Sequence, residues 1–198
     1  MAAERLILAS ASPRRRELLA RVCADFDVHP CPFEEPVHKP ERFPARQWAE
    51  SLAHFKARAV ADQYPDRWVL GADTIVMCVG EILGKPRDLT DARRMLELQA
   101  QQCSSVCTGL CLLRLDGRNE RLCRSDVTRV WMRDDAAARE EYLASGDWEG
   151  KAGAYGIQDV GDRLVERIEG SHSNVVGLPL ELLVRMLQHI QIPVRASG

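Results

Sequence analysis

No apolar run in this 198-residue chain approaches the roughly 20 residues that a membrane-crossing helix requires. The start, Met1-Ala2-Ala3-Glu4-Arg5 followed at once by a short strand-like run, also lacks the long apolar segment of a secretion signal. A cytoplasmic protein with no membrane partner is therefore expected. Charge of one sign is missing as well: 27 Lys and Arg stand against 29 Asp and Glu, for a formal net charge of −2. That balance excludes a bulk attraction to nucleic acid polymer or anionic membrane, while leaving room for a local basic pocket. A small phosphorylated ligand suits it better. The chain has no internal repeat, no low-complexity tract and no linker, and 45% hydrophobic with 28% charged residues is the composition of a folded globular protein. One α/β domain over residues 1–198 is expected.

Signatures of metal binding and of nucleophilic catalysis are thin. Seven cysteines, an odd number scattered along the chain, fit reduced thiols used as small core residues better than a disulfide framework. Cys103, Cys107 and Cys111 are evenly spaced, yet no CxxC pair or nearby histidine completes a ligand set, so no zinc site is expected among them. The five histidines form neither an HExxH pair nor an evident triad, which leaves little for hydrolysis through Ser171-His172.

What the chain does have is a serine- and arginine-dense turn, Ser10-Ala11-Ser12-Pro13-Arg14-Arg15-Arg16, between the apolar run Leu6-Ile7-Leu8-Ala9 and a helix that continues Glu17-Leu18-Leu19. Ser12 is a good N-cap and Pro13 suits the first helical position, where its missing N–H costs nothing. Arg14 and Arg15 then fall in the first turn, where the helix dipole disfavours each cation by roughly 0.3–1 kcal/mol. A bound anion would offset that. Free amides, two hydroxyls and clustered guanidiniums make a phosphate cradle of the strand–turn–helix kind. The competing reading is a solvated basic surface helix.

Further along, Phe26 to Pro30 reads as a strand and Pro30 to Pro44 as a proline- and acid-rich loop. Helical spacing covers Ala45 to Ala61, and Trp68 to Val79 is an apolar run that turns at Gly80-Glu81 into Ile82-Leu83-Gly84, a hairpin. Thr90 is read as the cap of a helix to about Leu98, and Val106 to Leu115 with Glu120 to Met132 as a second hairpin around Asp116-Gly117. Asp134 or Asp135 opens a helix ending at Gly146; a strand follows at Arg163 to Ile168, then a turn, and Pro179 opens a last helix.

Asp73 is the sharpest single candidate for chemistry, because a carboxylate between Val69, Leu70, Ile75 and Val76 is costly unless paired or bound to metal. The alternative is an edge-strand Asp in water. Thr74 beside it and Lys85 leaving the partner strand are expected to converge on it. Glu34 and Glu35 in the acidic loop offer oxygen ligands to a hard divalent ion. By spacing alone Lys56 and Lys151 read as ordinary surface lysines. In Gly153-Ala154-Tyr155-Gly156-Ile157-Gln158 two glycines allow backbone to approach a ligand, and Gln158 can meet the edge of a base.

Together these segments resemble the Maf family of nucleoside triphosphate pyrophosphatases over nearly the whole chain. The matching runs are Ser10 to Leu19, Gly71-Ala72-Asp73-Thr74-Ile75-Val76, Ile82-Leu83-Gly84-Lys85-Pro86, Thr108-Gly109, Lys151 to Gln158 and Val175 to Leu180. The resemblance implies an α/β fold akin to the inosine triphosphate pyrophosphatases, with an elongated mixed sheet, flanking helices and a cleft between two lobes. It also implies a divalent cation, magnesium or manganese, and a homodimer. By position Asp73 matches the family's general base, and Arg14, Thr74 and Gln158 match positions tied to substrate choice. Ser10, Ser12, Arg15, Glu35, Lys56 and Lys85 match other cleft positions, with Glu35 and Asp73 as metal holders and Lys85 catalytic beside Asp73. The expected reaction is hydrolysis of dTTP and UTP, and of modified pyrimidine nucleotides, to the monophosphate and pyrophosphate. Such a role would keep aberrant nucleotides out of nucleic acids. Alternatives are the same chemistry on 7-methyl-GTP, or a non-catalytic nucleotide-binding regulator of septum formation. Four departures stand out: Ser104 where histidine is common, Ala100-Gln101 for Ser-Gly, Asp147 for glutamate, and Asp159 for glycine after Gln158.

Overall fold

In the computed structural model the residues described are 5–32, 44–157 and 163–195. Strand β1 (Leu6–Leu8) runs parallel to both β2 (Phe26–Val28) and β3 (Val69–Cys78), with Leu8 opposite Val28 on one side and Leu70 on the other. All three β1 residues are buried, as an apolar run flanked by strands on both sides requires. β3 turns back at Val79-Gly80 into β4 (Glu81–Leu83), and the positive φ of both turn residues is what a two-residue hairpin of this hand needs. β5 (Ser104–Arg114), β6 (Glu120–Met132) and β7 (Val165–Glu169) complete, among the described residues, a seven-stranded sheet in the order β2-β1-β3-β5-β6-β7, with β4 attached to β3. β3–β4 and β6–β7 are antiparallel, so the sheet is mixed, as expected for the α/β class.

The chain divides into two compact units. The first comprises Met1–Asp73, Thr108–Asp126 and Gly177–Gly198; the second comprises Thr74–Cys107 and Val127–Val176. In the first, helix α1 (Pro13–Val22) begins where its sequence predicts: Ser12 is the N-cap and Pro13 the first helical residue. Helix α2 (Ala45–Ala61) lays an alanine-rich face, including Ala53, Ala57 and Ala61, on a core with Ile7, Val69, Cys111 and Leu113. Its approach depends on two glycines. A Cβ on Gly71 would lie 2.1 Å from the Ala53 carbonyl oxygen, and one on Gly109 would lie 2.3 Å from the Ala49 carbonyl carbon, so only glycine lets the helix backbone rest on β3 and β5.

In the second unit, helices α3 (Leu89–Gln101) and α4 (Ala136–Ser145) share a core with Val76, Leu83, Leu96, Val106, Val130 and Tyr142. The start of α3 corrects the sequence reading. Asp88, not Thr90, is the cap, and its carboxylate accepts the Asp91 N–H at 2.8 Å. Asp135 caps α4 and Gly146 closes it in the left-handed conformation, as expected. A short helix, α5 (His172–Val176), stands where only a turn was expected, and α6 (Leu180–His189) follows Pro179 in the first unit. None of the seven cysteines forms a disulfide. Among the described residues no helix is long and apolar enough to cross a membrane.

Candidate functional site

The N-terminal turn is organised by its own side chains. Ser10, buried at the end of β1, accepts hydrogen bonds through Oγ from the Ser12 N–H (3.3 Å) and from Arg15 Nη1 (3.5 Å). Ser12 Oγ accepts from the Arg15 N–H at 3.4 Å, which is the N-cap bond. Arg15 is half-buried and its Nε donates to the Gly177 carbonyl at 3.0 Å, tying the helix start to the segment before α6. Arg14, also half-buried, sits in the same first turn. The basic helix is thus not simply solvated, and the side chains that shape it are those expected to hold an anion.

Leu8 and Leu70 are register partners of parallel strands, so Ser10, two residues on, and Asp73, three residues on, both lie beyond that pair in the carboxyl direction. That end of parallel strands is where open α/β sheets bind ligands. Asp73 is 4% exposed, which removes the reading of an edge carboxylate in water. Its partner is Lys56 on α2: Nζ lies 2.5 Å from Asp73 Oδ1, with the two side chains 13% and 6% exposed. Lys56 is therefore not the surface lysine its spacing suggests. The glycine contacts explain why it reaches, since Gly71 precedes Asp73 by two residues on the same strand face and seats α2 at Ala53 and Ala57, either side of Lys56.

Thr74 is half-buried and follows Asp73 on β3, where successive side chains alternate between the two faces of the strand. Lys85 is exposed in the bend after β4. Glu35 and Gln158 lie outside the described residues, as does Asp159.

The run that begins at Lys151 is pinned within the second unit. Gly153 adopts φ 71° inside a 3-10 turn (Ala152–Ala154), its N–H donates to the Gly84 carbonyl at 3.0 Å, and its own carbonyl accepts from Gln99 Nε2 at 2.7 Å. A Cβ there would press within 3.1 Å of Val76, so glycine is required twice over. Lys151 lies 5.9 Å above the Tyr142 ring. Gln99 is a residue that sequence reasoning missed: it is 1% exposed on α3 and also donates to the Met95 carbonyl. Its place on the apolar stripe of Ala92, Met95 and Leu96 was the available signal. Asn174 on α5 was missed too; its Nδ2 bridges the Val106 carbonyl (3.0 Å) and Thr128 Oγ1 (2.9 Å).

Two of the departures have local explanations. Ser104 is fully buried and donates to the Val130 carbonyl at 3.4 Å, a framework role, and at Asp147 it is the backbone carbonyl that takes the Tyr142 hydroxyl, at 3.2 Å.

The carboxyl ends of two interior parallel strands, with a buried carboxylate–ammonium pair and a capped, cation-rich helix start, define an α/β protein equipped for a phosphorylated ligand. The family model described as Maf-like protein matches residues 5–190, and the chain belongs to that family. A protein of Ruminiclostridium cellulolyticum named dTTP/UTP pyrophosphatase is 41% identical over 93% of this chain and 95% of its own. Proteins with the same name from Koribacter versatilis and Geobacter sulfurreducens are 43% and 46% identical, over 92% and 94% of this chain and 93% and 96% of theirs.

Proposed function

We propose that the chain hydrolyses dTTP and UTP to the monophosphate and pyrophosphate, and that its two units act as one catalytic domain. The observation that carries this reading is the buried Lys56–Asp73 pair toward the carboxyl end of the parallel strands from which the Ser10–Arg15 turn also leaves. Burying two charges together is seldom the most stabilising use of a core position, and such pairs concentrate at functional sites. Relatives 41–46% identical and named dTTP/UTP pyrophosphatase support the substrate class.

In this reading Ser10, Ser12, Arg14 and the amides of the first turn of α1 hold the triphosphate, while Arg15 keeps the turn in shape through Gly177. Lys56 exchanges part of its ion pair for a phosphate oxygen when the nucleotide arrives. That frees Asp73 to orient the attacking water and take its proton. The water oxygen bonds to the α-phosphorus, the bond from that phosphorus to the β-bridging oxygen breaks, and pyrophosphate departs. Lys85 neutralises charge on the leaving group; Thr74 and Gln158 contribute to the choice of base. Asp73 is a hard oxygen donor of the kind magnesium and manganese prefer, and with Glu35 it would hold such an ion, which would supply further neutralisation of phosphate charge. The family resemblance supports a homodimer and a cytoplasmic setting.

The test is to incubate the purified protein with dTTP, UTP, CTP, GTP, ATP and 7-methyl-GTP, with magnesium or manganese, and to separate pyrophosphate from orthophosphate. Pyrophosphate from dTTP and UTP is expected. Pyrophosphate from 7-methyl-GTP instead would keep the chemistry and move the specificity, and tight binding with no turnover would favour the septum regulator.

A further inference from the structure

The proposed reaction leaves unused a cluster of three soft-metal ligands in the first unit. His54 on α2, Cys111 on β5 and Cys123 on β6 each turn one donor atom inward, and the three atoms lie within 4.8 Å of one another. Cys111 Sγ is 3.7 Å from His54 Nδ1 and 2.9 Å from Cys123 Sγ. We infer that His54, Cys111 and Cys123 form a binding site for a thiophilic cation of the zinc class, separate from the residues assigned to nucleotide hydrolysis.

Zinc–sulfur bonds of about 2.3 Å and zinc–nitrogen bonds of about 2.0–2.1 Å at tetrahedral angles put sulfur and nitrogen about 3.6 Å apart and two sulfurs about 3.8 Å apart. The observed sulfur–nitrogen distance already fits. The sulfurs must open by about 0.9 Å to match that tetrahedral spacing, and rotation of Cys123, which is half-buried, supplies the movement. Cys111 is fully buried, whereas His54 is half-buried, so the cluster has a closed back and a wetter side. That side offers an entry path and leaves the fourth coordination position to water. Binding releases the two thiol protons to solvent, and two thiolates neutralise a divalent ion. Arg121 and Glu50 both lie within electrostatic reach of the two sulfurs, with opposite signs.

Cobalt reports on this site directly. The full chain, stripped with chelator and kept reduced, is titrated with cobalt(II) and then with zinc(II). The expected result is one equivalent bound, with thiolate-to-cobalt charge-transfer absorption and the strong visible bands of a tetrahedral ion, all abolished by zinc. Cys123→Ser and His54→Asn should each weaken binding by more than the roughly tenfold that loss of an outer-shell partner costs, and Cys103→Ser should leave it unchanged. Should a variant fail to fold, alkylation of the native chain serves instead: zinc should protect the half-buried Cys123 from iodoacetamide while Cys103, equally half-buried, still reacts. Weak octahedral bands, tetrahedral bands that persist in Cys111→Ala/Cys123→Ala, or no protection by zinc would overturn the assignment. None of these readouts depends on nucleotide turnover.

Discussion

Lys56 Nζ and Asp73 Oδ1 meet at 2.5 Å although 17 residues separate them in sequence, and both side chains are nearly withdrawn from water. Removing either member takes a close ion-pair partner from a buried charge, a change that typically costs about 3–5 kcal/mol when the charge persists. Asp73→Asn keeps the shape and removes the base. Turnover of dTTP should fall close to background while the circular dichroism spectrum stays native. Lys56→Met should lower thermal stability and also weaken nucleotide binding, measured by calorimetry. Full activity in Asp73→Asn would end its assignment as base.

Gly71 sets the distance between those two residues. An alanine there puts a methyl carbon 2.1 Å from the Ala53 carbonyl oxygen and 2.7 Å from the Ala57 nitrogen, so α2 must lift from the sheet. Gly71→Ala should lose about 3 kcal/mol or more in urea unfolding, and its remaining folded fraction should show a lower kcat because Lys56 moves with the helix. Gly109→Ala presses on Ala49, nearly two turns before Lys56 on α2, and should destabilise similarly. Its kcat per folded molecule should change less. Equal kcat losses in the two variants would mean that Gly71 has no special bearing on the pair.

The local devices were legible because each has a short-range cause. Ser12-Pro13 starts α1, the spacing of Ala45 to Ala61 makes α2, and Gly146 ends α4. Asp88 and Thr90 are both good caps two residues apart, and only the extended backbone of Asp88 decides between them. The five-residue α5 is too short to show a helical period. Lys56 looked ordinary because periodicity says which face a residue takes, not which distant carboxylate meets it. The cysteines misled for a similar reason. Residues four apart on one strand stand about 13 Å apart, so the even spacing of Cys107 and Cys111 on β5 cannot hold one ion, while Cys111 meets Cys123 on the next strand.

Gln99 holds the Gly153 carbonyl at 2.7 Å and so fixes the entry to the run ending at Gln158. Gln99→Met keeps much of the volume but leaves that carbonyl without its donor, at a cost of about 1–3 kcal/mol for a buried polar group. If the run contributes to base choice, KM for dTTP should rise several-fold with a smaller change in kcat. A variant that loses stability but keeps its KM would confine Gln99 to the fold.

Asp91 gives the second unit an acid limit. Burial alone would raise its carboxyl, but the Arg87 backbone N–H (3.2 Å) and the guanidiniums of Arg87 (3.2 Å) and Arg94 (3.3 Å) outweigh it and hold the group below the ordinary carboxylate range. Its place in the first turn of α3 favours the anion further. A carboxyl whose folded-state pKa lies below the unfolded one binds its proton more readily when unfolded. Its contribution is therefore complete above the unfolded value of about 3.9 and is lost as pH falls through the lower folded value. Asp91→Asn should remove about 1–2 kcal/mol at neutral pH, in line with hydrogen bonds to a charged acceptor, and the gap between variant and native stability should close as pH falls below about 4. Urea unfolding of both proteins across that range measures it, and a gap independent of pH would show that packing, not charge, accounts for the loss.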